Sequence, residues 1–300
     1  MKKAPHFLVL IFLLSACASS VSQEPEAFDQ QTFNEYWYAG KAEISSYELE
    51  QARYGEIHKG SSVLVFVTEP FSKGKQVKLD NWRDKSADNV SVLKLNMTKK
   101  FITGIYPYSM MMSTFTPVSY DQYPYAFKVT TSSQEWCGHT WMQLNWQDEN
   151  YRLQGFSYFE SEADVDEKIK TALTEDEIWT RIRLNPMALP QGDLSLLPST
   201  FYLRLKHRAN ATQKATGSLT SVSKSDYADF THQVYELAYE GRVLKIYFEE
   251  VFPYTILGWE ENYGGLSTKA RKINTIKSAY WGQNGNSDRK IRKELGLSTD

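Results

Sequence analysis

Along much of the chain apolar and polar residues alternate one by one, the period of a half-buried antiparallel strand. Over 90–97, Leu93, Leu95 and Met97 alternate with Val92, Lys94 and Asn96. Over 139–146, Thr140, Met142, Leu144 and Trp146 share one face, and His139, Trp141, Gln143 and Asn145 take the other. The same rhythm predicts strands over 201–206, where Phe201, Leu203 and Leu205 alternate with Tyr202, Arg204 and Lys206, and over 270–281. Segment 61–68 is apolar on both faces and predicts a covered central strand. Tyr235, Leu237 and Tyr239 lead into Glu240-Gly241, and Val243 to Phe248 runs back, a hairpin whose glycine supplies the positive φ of a tight turn.

Two segments break this rhythm. Thr174-Glu175-Asp176-Glu177 is a capping box, with Thr174 as N-cap and Glu177 three residues on. It predicts a helix with Ile178, Trp179 and Ile182 on its apolar stripe and Arg181 and Arg183 near its C-terminus, ended by Asn185-Pro186. Val165, Ile169 and Leu173 predict a preceding helix over 162–172. The expected fold is mainly β (α+β), with large antiparallel twisted sheets or a partial barrel and a short helical insertion. A loop carrying Pro186, Pro190 and Pro198 separates an N-terminal β half (35–160) and a helical insertion (161–199) from a C-terminal β half (200–300).

Composition narrows the function classes. The 42 aromatic residues among 300 supply ample burial and exclude disorder as the main state. A formal net charge of −2 offers no field for nucleic acid. Two cysteines build no disulfide framework. There is no Gly-x-Ser-x-Gly, no phosphate-binding glycine loop, no Cys-x-x-Cys and no His-Glu-x-x-His, so no cofactor, metal or catalytic residue is assigned.

The N-terminus reads as an address. Lys2 and Lys3 precede the apolar run Phe7 to Leu14, which is too short to span a bilayer as a helix and reads as a signal segment. Leu14-Ser15-Ala16-Cys17 resembles the bacterial lipobox. That resemblance implies cleavage after residue 16, lipidation of Cys17 and, with Ala18 rather than Asp next, an outer-membrane destination. Residues 17–34 would then be the lipidated terminus and tether, leaving 32 basic against 36 acidic side chains. The expected partners are the membrane, through Cys17, and an envelope glycan, lipid or protein.

Candidate ligand contacts are aromatic. Tyr36 and Trp37, Tyr106 and Tyr108 around Pro107, and Tyr123 and Tyr125 around Pro124 are amphipathic groups suited to glycans, peptides or lipids. Cys137 and His139, two apart, would share a strand face. That spacing suits half of a metal site or a Cys–His pair, but a strand entering the core between Trp136 and Trp141 accounts for both; the expectation is a buried, inert thiol with Trp136 or Trp141 buried. The carboxylates of Glu160, Glu162, Asp164, Asp166 and Glu167 read as a solvated helix start.

The lipobox, Tyr36-Trp37-Tyr38-Ala39-Gly40-Lys41-Ala42-Glu43, Glu135-Trp136-Cys137-Gly138-His139 and Ile276-Lys277-Ser278-Ala279-Tyr280-Trp281-Gly282 resemble a group of uncharacterised bacterial envelope lipoproteins over nearly the whole mature chain. The group carries no known activity. Its members are sometimes labelled "septum formation inhibitor Maf", yet the Ser-Arg-Ser-Pro-Arg-Arg-type motif of the Maf nucleotide pyrophosphatases does not occur here. The resemblance implies a lipid-anchored, non-enzymatic binding or scaffolding module; an envelope hydrolase on glycan or lipid, or a lipid or lipoprotein carrier, are the alternatives.

Overall fold

The computed structural model describes Met1, residues 29–83 and residues 86–299. Helix α1 (Gln30–Trp37) leads into β1 (Ala42–Arg53), β2 (Glu56–Ser72), β3 (Val77–Lys78), β4 (Asn89–Thr103) and β5 (Tyr106–Pro117). Then come β6 (Lys128–Glu135), β7 (Gly138–Gln147), β8 (Asn150–Ser157), β9 (Val165–Lys170) and β10 (Leu173–Thr174). Helix α2 (Glu175–Leu184), β11 (Gly192–Leu197) and α3 (Thr200–Lys206) follow. The chain returns through β12 (Gln213–Val222), β13 (His232–Tyr239), β14 (Arg242–Glu249), β15 (Ile256–Tyr263) and β16 (Leu266–Ser278), and ends in α4 (Lys290–Glu294).

Among the described residues the strands form one 16-stranded sheet, in the order β10-β11-β12-β13-β14-β15-β16-β1-β2-β4-β5-β6-β7-β8-β9, with β3 on β2. Every pairing is antiparallel except β10 with β11. The mainly β expectation is met. The two outermost strands of this order are consecutive in the chain: β9 ends at Lys170 and β10 begins at Leu173. Three Cα steps reach at most about 11 Å, so the sheet curls until these two ends lie close together, although β9 and β10 do not pair. The right-handed twist of neighbouring strands supplies the curvature.

Inside lie α2, packed on β4 and β5, and α3, packed on β5 and β6. One hydrophobic core draws on α1, α2, α3 and on strands before and after the proline-bearing loop, including Phe66, Leu95, Met112, Leu153, Tyr235, Ile246 and Trp259. The outer face is covered in places. Leu295 and Leu297 pack over Ile44, Val63, Val65 and Ile276, which is why segment 61–68 carries apolar residues on both faces.

Three local readings hold. Tyr239 pairs with Arg242 across a turn in which Glu240 (φ 46°) and Gly241 (φ 75°) are both left-handed. Thr174 caps α2: its hydroxyl accepts from the Glu177 amide at 3.2 Å, and the Glu177 carboxylate accepts from the Thr174 amide at 2.9 Å. Strand 139–146 is β7, within Gly138–Gln147.

Three do not. Segment 201–206 is helix α3, not a strand. Ser199 caps it, and Phe201 to Leu205 are all buried because the helix sits inside the sheet, so alternation there marks nothing. Segment 162–172 holds strand β9 rather than a helix. Val165 and Ile169 are four apart, a spacing that also keeps both on one face of a strand, and pairing with β8 decides between the two. Helix α2 has no solvated face: Glu175, Asp176, Glu177 and Arg183 are buried with the apolar stripe. Helix α1 begins at Gln30, within the segment expected to be tether, and buries Phe33.

Candidate functional site

The aromatic pairs lie in three separate places. Cys17 falls outside the described residues. Tyr36 and Trp37 close the end of the sheet where β1 starts. Trp37 is buried, and the Tyr36 hydroxyl donates to the Glu43 carboxylate beneath Lys277, whose Nζ lies 3.8 Å from the Tyr36 ring centre. Tyr106 and Tyr108 share a face of β5 with rings 5.8 Å apart, at the opposite end; Tyr108 is buried and its hydroxyl lies 2.8 Å from that of Tyr54. Tyr123 and Tyr125 occupy the loop before β6, one against Phe127 (5.3 Å), the other against Trp146 (6.0 Å). These six residues form no common rim.

The expectation for Cys137 is overturned. Glu135 pairs with Gly138, so Trp136 and Cys137 are the two-residue turn between β6 and β7 and not part of a strand. Cys137 is exposed, Trp136 is 68% exposed and Trp141 is 42% exposed. A two-residue turn carries its side chains away from both strand faces, so neither the thiol nor Trp136 enters the core. The thiol pKa is raised, by hydrogen bonding to Glu135 and by that residue's charge. Among the described residues no group of three or more His, Cys, Asp or Glu is arranged to hold a metal ion.

The interior holds charges that local sequence did not announce. Glu43 on β1 and Arg183 on α2 are fully buried and paired through both oxygens; Arg183 Nη2 to Glu43 Oε2 is 2.5 Å. Burial opposes ionisation of Glu43, but the Arg183 charge overrides it and the pKa is lowered. Arg242 on β14 bridges Glu175 (2.7 Å) and Glu261 (3.1 Å), and Lys99 completes the chain on Glu261 at 2.6 Å. Burial would raise the Glu261 carboxyl, yet Lys99 and Arg242 hold it down at about 2. Asp176 has no such cation: burial pushes it up to about 6, against hydrogen bonds from the Thr200 amide (2.9 Å) and hydroxyl (2.7 Å). Its second oxygen has no partner among the described residues. These contacts tie α2 to β1, to β14 and to the start of α3.

Between α3 and the inner faces of β6 to β9 a cavity of about 490 Å³ remains. Its sheet wall includes Thr131, Thr140, Met142, Gly155 and Val165; Leu203 and Arg204 face it from α3, and His207 to Asn210 border its mouth. The chain turns 54–55, 104–105 and 136–137 lie at the same end, because alternate strands run to it. Arg204 is 8% exposed. Its Nη1 donates to Glu162 (2.8 Å), which also meets His207 Nδ1 at 2.7 Å. Its guanidinium lies 4.6 Å from the Phe159 ring centre. Arg204 Nε and the Asn210 side-chain oxygen are buried without a hydrogen-bond partner among the described residues, an arrangement that natural proteins seldom leave unexplained. The cavity floor is a pair of hydroxyls, Thr131 on Thr200, with Asp176 behind it. The volume lies in the range of small-molecule sites, and apolar walls with a few convergent polar groups are their usual lining. The alternating strand pattern of β7 marks Thr140 and Met142 as one face; nothing local marks Arg204, which sits in a segment that reads as a strand.

Among the described residues no helix is long and apolar enough to cross a membrane. No family model matches the chain, and no curated protein matches it. Solved structures do: the chain is similar to a β-barrel-like protein of a domain of unknown function, DUF1849, from Brucella abortus, with a TM-score of 0.47 and 8% identity over 79% of this chain and 97% of that one.

Proposed function

We propose that this chain is a lipid-anchored, non-enzymatic binding module of the bacterial cell envelope that holds a small ligand between α3 and the inner face of β6 to β9. The observation that carries the binding part is the cavity of about 490 Å³, lined by Met142, Val165, Leu203 and the buried Arg204. The anchoring part rests on Leu14-Ser15-Ala16-Cys17 behind a short apolar run. Attached through Cys17, the domain would hang from the membrane by the end where β1 starts, with the cavity mouth at the other end, free to meet its ligand. The full chain expressed in a Gram-negative host tests both parts. The membrane fraction should contain a protein whose N-terminal peptide begins at acylated Cys17, and Cys17→Ser should leave unprocessed precursor. Native mass spectrometry of the extracted protein should show a non-covalent small molecule that is lost on denaturation. Normal processing of Cys17→Ser would refute the anchor. A cavity that takes up no small molecule from the envelope extract would refute the binding reading.

A further inference from the structure

At the end of the sheet away from the start of β1, five two-residue turns join neighbouring strands, and their composition is uneven. Tyr54-Gly55 joins β1 to β2, Gly104-Ile105 joins β4 to β5, and Trp136-Cys137 joins β6 to β7; Tyr158 follows β8 at the same end. Glu240-Gly241 and Gly264-Gly265, between β13 and β14 and between β15 and β16, have the same length and carry no large apolar group. A turn of this kind therefore needs no apolar side chain. Yet Ile105 (81%) and Tyr158 (76%) are the two most exposed large apolar side chains of the described residues after Met1, and Tyr54 and Trp136 are exposed with them. Ile57 on β2 and Ile102 on β4 continue the patch onto the outer face. Single exposed apolar residues are ordinary, but six at the ends of adjacent strands form a patch. A second level lies behind the first. Ser61 pairs with Lys100 and Gly60 with Phe101, so the exposed Lys59 stands opposite Ile102 on the outer face. In each strand the lysine sits two residues, about 7 Å, behind the isoleucine.

We propose that this end of the sheet docks on a lipid bilayer, with Ile105, Trp136 and Tyr158 entering the interface and Lys59 and Lys100 meeting the phosphates. Peripheral apolar groups enter about 5–10 Å into the boundary between headgroups and acyl chains, and the two levels are spaced to match. Trp and Tyr favour that boundary, and lysine suits the headgroup level above it. The apolar groups project from separate turns, so a fluid phase can receive each one without a complementary surface. Glu56, Glu160 and Asp164 lie at the same end and are exposed, so the apolar tips rather than net charge supply most of the binding. The docking does not depend on an anchor at Cys17. With that anchor, this end reaches either a facing membrane or, when the domain lies over on its tether, the membrane that holds it.

Tryptophan quenching on the full chain tests this. The chain is placed in nanodiscs of phosphatidylethanolamine and phosphatidylglycerol and mixed with vesicles of the same lipids, with brominated phospholipid in the nanodiscs or in the vesicles. The difference between wild type and Trp136→Phe isolates the Trp136 signal. That signal should be quenched in one of the two arms: by nanodisc lipid if the holding membrane is the target, by vesicle lipid if a facing one is. A chain without an anchor leaves the vesicle arm as the readout. Ile105→Ser should weaken docking about tenfold, read as the vesicle lipid needed for half-quenching or as the ratio of quenched to unquenched Trp136 in the nanodisc. Lys59→Gln and Lys100→Gln should each weaken it about fivefold with phosphatidylglycerol present and leave it unchanged on phosphatidylcholine alone. All three substituted side chains are exposed, so an unchanged urea midpoint checks that the fold is intact. No quenching of Trp136 in either arm, or quenching indifferent to Ile105→Ser, would overturn the proposal. A lipid-free dimer in sedimentation that Ile105→Ser dissociates would also overturn it, by giving the patch to a second copy of the chain. Each of these failures would leave the cavity and the Cys17 anchor standing.

Discussion

Replacing Asp176 by Asn isolates a single buried carboxyl. Asp176 is wholly buried at the start of α2, with one oxygen held by Thr200 and the other without a partner. Burial raises its pKa from 3.8 to about 6 in the folded chain, and Glu175 adds to the rise. In the unfolded chain it titrates near its ordinary value. The folded state therefore holds a proton between pH 4 and 6 that the unfolded state has released, and stability from this group is greatest below pH 4 and lost as pH rises through 6. A shift of that size amounts to about 3 kcal/mol at pH 7. Asp176→Asn removes the titration while keeping an oxygen for the Thr200 donors. The new amide group adds an offset that does not vary with pH, so the informative quantity is the change with pH of the difference between the two proteins. Urea unfolding of both, from pH 4 to pH 8 with m-values checked for equality, should show the variant gaining on the wild type by up to about 3 kcal/mol between pH 4 and 6, then a plateau. A difference that stays flat across that range, or that moves the other way, would refute the burial argument.

Two further outcomes follow from the same interior and from the corrected turn. Arg183→Met should cost about 3–5 kcal/mol, because Glu43 would lose its paired guanidinium in the core and keep only the Tyr36 hydroxyl, whereas Glu43→Leu with Arg183→Met should recover most of that loss; equal stability of the single and double variants by urea unfolding would show that the pair is not coupled. Cys137, exposed on its turn, should react with a thiol reagent in the native fold nearly as fast as in urea, and Glu135→Gln should speed the native reaction at pH 7 by lowering the thiol pKa; a protected native thiol would place the turn elsewhere.

Features that depend on near neighbours are legible along the chain. Alternation made β4 and β7 legible, Glu240-Gly241 marked the β13–β14 hairpin, and Thr174 with Glu177 marked the start of α2. Each is decided by a few consecutive residues: the two-residue period of a strand, the φ of a turn, the amides of a first helical turn. Tertiary structure decided the rest. Val165 and Ile169 suit either element until β8 pairs with them. Phe201 to Leu205 alternate in type but not in burial, because an enclosed helix has no wet face to keep polar. Glu43 meets Arg183 across 140 positions, and Glu162 meets Arg204 and His207 across 42 and 45. Whether a carboxylate or guanidinium is solvated, paired or left with a vacant nitrogen depends on what the curled sheet carries to it. No local pattern encodes that, since the energy of a buried charge lies in its partner and not in its own segment.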